Sequence, residues 1–173
     1  MSATDEQIKR TDTQWQQALA GKYLTCALGQ EEYALSVLQV REIIKMMSIT
    51  AVPQVPPYVK GVINLRGKVI PVVDLRLKFG FAPQDHGDRT SIIVVEVAWR
   101  DRSIVMGLVV DAVADVLNIA ESEIERMPDF GHRVQTDYLK GVAKVKGTVK
   151  ILLDLDRILG GDDTMGELSG RAA

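Results

Sequence analysis

At 173 residues, 46% hydrophobic and 25% charged, the chain is long enough to bury a sizeable core as one compact module or two small ones. Its 21 basic and 23 acidic side chains give a formal charge of -2; residues 1–21 carry -1 and residues 160–173 carry -2, so the body is near neutral at +1, which argues against nucleic-acid binding. The longest purely apolar run, residues 104–110, is too short to span a bilayer, the first 22 residues are too polar for a signal peptide, and the single cysteine, Cys26, points to a reducing cytoplasm.

In chain order, residues 1–21 form a polar extension in which Ile8, Trp15 and Leu19 recur at roughly helical spacing, the mark of a frayed helix. Docking through Trp15 and a mobile extension are equally compatible with that pattern. Short β-branched runs bounded by Gly, Pro or charge pairs then predict strands at 23–28, 33–35, 43–47, 61–65, 68–73, 91–98, 103–110, 141–145 and 148–153. Residues 36–42 read as a helical turn. Asp74 and Asp154 are placed to cap the amides of two further short helices. Residues 81–90, with Pro83, Asp85, Gly87 and Asp88, read as a linker, and residues 160–173 as a flexible acidic tail.

An internal repeat organises these elements. Residues 58–79 (YVKGVINLRGKVIPVVDLRLKF) align without a gap on residues 138–159 (YLKGVAKVKGTVKILLDLDRIL), with eight of 22 positions identical. Upstream, 34–44 lies on 107–117, with Glu42 opposite Asp115. The body at 22–159 is therefore two related units, about 22–80 and 91–159, with strand exchange between them left open. Each unit contains a hairpin turning on Arg66-Gly67 or Lys146-Gly147, where glycine at the second position tolerates positive φ. About five short strands per unit suggest small closed barrels, which leave no exposed sheet edge. The fold class is all-β with a few short helices. Two barrels side by side also explain why 69–73 (VIPVV) fails to alternate, since such a run is covered on both faces.

No catalytic, cofactor or metal site emerges. Gly61 to Lys68 has five residues between its glycines where a P-loop has four, and Val69 stands where a magnesium-binding hydroxyl is needed. His86 and His132 lie in polar stretches without metal-ligand spacing, and Asp85-His86-Gly87-Asp88 reads as a solvated loop. Cys26 sits mid-strand without a basic neighbour, as a small buried hydrophobe. Asp111 and Asp115 share a face only if their segment is helical, and lack a second carboxylate partner for acid-base work. The remaining candidates belong to a binding surface: Arg66, with five donors at a hairpin tip, and Val37, Val40 and Glu42 on the predicted helical turn. On spacing and patterning alone, a solvated turn residue is the better reading of Arg66, and core is the better reading of Val40.

The string KGVINLRGKVIPVVDLR at 60–76 resembles the signature of the CheW family, the coupling proteins of bacterial chemotaxis. The likeness continues through EYAL at 32–35, VLQVREI at 37–43, GLVVD at 107–111 and the second YLKG, covering about residues 22–159. It implies two SH3-like five-stranded β-barrels packed around a shared hydrophobic interface. It further implies a non-enzymatic cytoplasmic adaptor, recruited to membrane receptor arrays but not inserted in the membrane, that couples methyl-accepting chemoreceptors to the histidine kinase CheA. The receptor's cytoplasmic tip is expected in a groove between the barrels, and the kinase's regulatory domain at barrel-to-barrel contacts that build rings. Self-association is expected to be weak or array-dependent. Carried over residue by residue, the resemblance assigns Val40, Glu42, Gly61 and Arg66 to receptor binding. Residues 124–130 (IERMPDF) align with a second-barrel loop that takes part in kinase or ring contacts, with Phe130 as the anchor. Glu125 replaces a basic residue familiar in that loop. Two other readings stay open: an adaptor of this fold in another chemosensory pathway, such as one for surface motility, or a receptor-independent kinase regulatory domain.

Overall fold

The computed structural model describes residues 13–127 and 138–160. A two-turn helix, α1, spans 13–19. It is followed by strands β1 (Gly21–Leu28), β2 (Glu31–Ser36), β3 (Val40–Lys45), β4 (Val59–Leu65) and β5 (Lys68–Asp74), then helix α2 (Leu75–Lys78). Strands β6 (Ser91–Trp99), β7 (Arg102–Val110), β8 (Ala112–Ile119), β9 (Ile124–Glu125), β10 (Leu139–Val145) and β11 (Thr148–Leu153) lead to helix α3 (Leu155–Gly160). Short 3-10 turns occupy Val37–Gln39 and Glu121–Glu123.

The strands form two sheets, in the orders β8-β1-β2-β11-β10-β9 and β3-β6-β7-β5-β4. Each sheet takes its leading hairpin, β1–β2 or β6–β7, from one repeat and its remaining strands from the other, joined by the parallel pairs β2·β11 and β5·β7. The repeat alignment holds residue by residue in the pairing: Val40 lies opposite Val95 as Val113 lies opposite Cys26, and Ala34 opposite Leu152 as Gly107 lies opposite Val72. Each barrel therefore needs both halves of the chain.

The core follows from alternation along the strands. In β6, Ile93, Val95 and Val97 face a large cluster shared with Leu24, Cys26, Leu28, Leu35, Leu108 and Leu153, drawn from both sheets. Ile92 and Val94 face the other way, into a smaller cluster with Ile63, Ile70, Val72 and Val109 inside one barrel. Tyr23, Ala34, Ile119, Ile124, Ala143, Val145 and Leu152 fill the other barrel. Strands at the seam are thus apolar on both faces, and the 69–73 run is one of them: Ile70 and Val72 point into the barrel and Val73 into the seam. Truncating a seam residue such as Leu108 to Ala would cost about 2–5 kcal/mol.

Several local readings are refined. Residues 36–42 are not one helical turn: the 3-10 turn ends at Gln39, and Val40 and Glu42 lie on β3. The alternating accessibility of β3 is that of a sheet edge; its polar residues stay solvated there without a helix. Residues 112–119, read without an element, form β8, so Asp111 and Asp115 share no helical face. The weak signal has a cause, because Ala, Asp and Asn disfavour strands and β1 supplies the pairing. α1 docks on the body, and the 81–90 connection carries neither helix nor strand.

Candidate functional site

The β4–β5 hairpin is built for a two-residue turn. Leu65 pairs with Lys68, and the turn residues Arg66 and Gly67 both have positive φ, 51° and 84°. This double left-handed geometry matches the twist of the strands, and Asn64 Oδ1 braces it by accepting the Gly67 N–H at 3.0 Å. A non-glycine residue in this region is strained, so Arg66 occupies a position that Asn or Gly would fill more easily. The twin hairpin repeats the pattern at Lys146 and Gly147, φ 51° and 80°.

Arg66 is the exposed tip, with 73% of its side chain accessible. Its guanidinium donates two hydrogen bonds to the Glu42 carboxylate, Nη1 to Oε2 at 2.7 Å and Nη2 to Oε1 at 3.0 Å. β3 and β4 are the two ends of their sheet's strand order, so this pair spans the point where the sheet curls round to meet itself. The hydrogen bonds, against a smaller opposing desolvation and with the opposite charge adding to them, hold the Glu42 carboxyl below its usual range, and the same contacts raise the guanidinium further. Two of the five guanidinium N–H groups are thereby committed, leaving three for a partner on an exposed side chain. Nearby on β3, Arg41 pairs with Glu96, which also accepts from Ser103.

The four predicted receptor-facing residues differ in character. Arg66 and Glu42 meet directly. Val40 is half-buried and packs on the shared seam, so it links this face to the core. Gly61 is buried: a Cβ on it would stand 1.9 Å from the Thr50 carbonyl oxygen and 2.9 Å from Ala51 Cα. That close approach lets Thr50 pair with Val62 through two backbone hydrogen bonds of 2.9 Å. Gly61 thus acts by letting the 49–51 segment pair closely alongside β4, and offers no surface of its own.

Phe130 lies outside the described residues. Of the segment leading to it, Glu125 pairs with Lys144 at 3.1 Å and the Arg126 guanidinium stacks over Trp15, 4.4 Å from the ring centre. Glu125 thus supplies an acidic partner where a basic residue was expected.

Sequence reasoning missed three features. The tip region exposes aliphatic surface, Val69 at 70% and Ile43 at 45%, and Leu38 on the 3-10 turn is almost wholly exposed. Arg76, largely buried, bonds Asp111 at 3.0 Å, and Asp111 also accepts the Gly29 N–H at 2.7 Å, tying α2 to the β1–β2 turn and the start of β8. Lys78 sits between the rings of Tyr58 and Tyr138, 4.1 and 5.5 Å from their centres, with one tyrosine from each repeat. The alignment of those two tyrosines was the available signal for the last.

Comparison with known proteins converges on one family. A family model described as the CheW-like domain matches residues 22–162. The chain is 34% identical to the chemotaxis protein CheW of Klebsiella aerogenes over 142 residues, 82% of this chain and 83% of that protein. It is 36% identical to the chemotaxis protein CheW of Bacillus subtilis over 152 residues, 87% of this chain and 94% of that protein. The fold superposes on the crystal structure of the scaffolding protein TtCheW from Thermoanaerobacter tengcongensis with a TM-score of 0.72, at 35% identity, covering 82% of this chain and 93% of that one. With its two barrels and its paired hairpin tip, this chain belongs to the CheW family of chemotaxis scaffold proteins.

Proposed function

We propose that the protein is a non-enzymatic adaptor that couples methyl-accepting chemoreceptors to the regulatory domain of the histidine kinase CheA, with Arg66 and Glu42 at the receptor-facing surface. The supporting observation is the bidentate Arg66–Glu42 pair on an exposed hairpin tip. An unpaired arginine must lose rotamer freedom on binding; this one is already oriented, with three donors left for carbonyl or carboxylate groups of a receptor helix. Val40 connects the same face to the seam, so a receptor-induced shift has a packed route towards the second barrel. Coupling then operates through binding: the receptor alters kinase activity to the extent that its contact free energy differs between two states of the assembly. No helix among the described residues is long and apolar enough to cross a membrane, which fits recruitment to receptor arrays from the cytoplasm.

The test is a pull-down of wild type and Arg66→Ala with a receptor cytoplasmic fragment and, separately, with the kinase regulatory domain, circular dichroism establishing equal folding. Selective loss of the receptor by the variant is expected. Retention of both partners at wild-type strength would remove Arg66 from the site, and failure of wild type to retain either would refute the adaptor reading for these partners.

A further inference from the structure

Among the described strands the chain passes between the two sheets twice, through Val37–Gln39 between β2 and β3 and through Asp111 between β7 and β8. Each passage is held by a short helix at the same position of the repeat, since Arg76 of α2 and Asp156 of α3 align in the two copies. Arg76 holds the second passage through its ion pair with Asp111. On the first, Asp156 uses a single oxygen, Oδ1, to accept from Gln39 Nε2 and from the Ala98 amide of β6, both at 2.9 Å. The Gln39 side chain also donates to the Glu96 carbonyl at 3.4 Å, so the end of the 3-10 turn is tied at once to α3 and to β6.

This tie sits immediately before the least regular point of β3. The pairing of β3 with β6 shifts register between Val40 and Glu42, with Arg41 as the extra residue. A bulge re-aims the side chain that follows it, here Glu42 towards Arg66 at the far end of the sheet's strand order. The Val40 amide bonds back to the Val37 carbonyl, and Arg41 pairs with Glu96. Turn, bulge and Glu42 therefore form one short run whose polar anchor outside its own sheet is Asp156.

We propose that Asp156 is a positioning residue for the tip: it fixes the passage from which β3 starts, and so holds Glu42 within reach of Arg66. The consequence for receptor binding rests on the adaptor reading above. The donors to Asp156 are neutral and their bonds lie at the surface, whereas Arg76 and Asp111 form an ion pair whose arginine is largely buried, so of the two passages this one yields first. Once it yields, the bulge relaxes and Arg66 loses its partner.

The experiment compares the full chain as wild type, Asp156→Ala, Asp156→Asn and Gln39→Ala, with melting temperatures establishing that all are folded. Asparagine is the conservative rescue, because both bonds end on one oxygen that it retains. Three readouts are taken: the NMR titration midpoint of Glu42, hydrogen exchange at the Val40 amide, and calorimetric affinity for a receptor cytoplasmic fragment. In Asp156→Ala the midpoint is expected to rise towards 4.5, Val40 protection to fall, and receptor binding to weaken about three- to ten-fold. Removing a carboxylate charge cannot itself raise another carboxyl, so a rise reports loss of the Arg66 partner. Gln39→Ala should move the same way, and Asp156→Asn should stay near wild type. A wild-type midpoint in Asp156→Ala and Gln39→Ala, or an asparagine variant as impaired as the alanine one, overturns the positioning role. If wild type binds no receptor fragment, the adaptor reading falls, and the midpoint still decides the positioning role by itself.

Discussion

Replacing Gly61 by Ala tests how the first barrel is held around its site. The added Cβ would meet the Thr50 carbonyl oxygen at 1.9 Å, and ordinary contact begins at 3.4 Å, so the paired 49–51 segment must retreat by about 1.5 Å. The obstacle is backbone, which cannot rotate aside as a side chain would. Such a retreat breaks the two Thr50–Val62 hydrogen bonds, each contributing about 1 kcal/mol. Alanine at φ +138° adds backbone strain of about 1–3 kcal/mol. The expected loss is therefore about 3–5 kcal/mol, read from urea unfolding followed by circular dichroism. Gly141→Ala is the internal control, because its Cβ meets the Glu125 carbonyl at 2.8 Å and the terminal-helix ring of Trp15 at 3.1 Å. Its backbone lies outside the left-handed region and its overlap with backbone is smaller, 2.8 Å against 1.9 Å, so a loss of about 1–2 kcal/mol is expected. A Gly61→Ala loss below about 1 kcal/mol, or one no larger than that of Gly141→Ala, would refute the close Thr50 pairing as the reason for glycine.

Three further outcomes follow from local geometry. Lys146→Asn, which suits the left-handed turn better than lysine, should stabilise the protein by about 0.5–1 kcal/mol in the same unfolding assay. The Cys26 thiol, pushed up to about 12 by burial and secondarily by the Asp111 charge, should resist alkylation at pH 8 in the native protein and react on unfolding. Because its folded value lies above its unfolded one, its stabilisation is present below pH 9 and fades as pH rises towards 12. Glu42 is shifted the other way, so its stabilising pair with Arg66 is fully present above the unfolded carboxylate value of 4.5 and is lost as pH falls through the lower folded value. NMR titration of the Glu42 carboxyl carbon should show a midpoint below 4.5, returning to the usual range in Arg66→Ala.

Much of the fold was legible because the repeat is written in residues with fixed geometric duties. The two Tyr-x-Lys-Gly starts, the two Gly turns and the two Asp-Leu ends return as twin hairpins. Asp74 and Asp154 each accept a helix amide, from Leu77 at 3.3 Å and Arg157 at 3.2 Å, and each donates its own N–H to Tyr58 or Tyr138 at 2.8 Å. β8 was not legible, since AVADVLNI has little strand propensity of its own and is ordered by pairing with β1 across 90 residues of chain. The exchange of hairpins between the barrels is hidden for a related reason: local patterning marks a strand without naming its partner. At the site, the composition of the tip was readable, and the Arg66–Glu42 pair was not, because it joins opposite ends of a sheet's strand order. Gly61 shows the reverse case, a residue named for binding whose burial gives it a steric task.

The central claim is that the oriented guanidinium at the hairpin tip carries receptor recognition. It is tested most directly by the calorimetric affinity of Arg66→Asn for a receptor cytoplasmic fragment, because asparagine suits the turn while removing the guanidinium. The account predicts binding weakened about ten- to a hundred-fold, with kinase-domain affinity unchanged and a melting temperature no lower than that of wild type. Receptor affinity equal to wild type in a folded Arg66→Asn protein would contradict it.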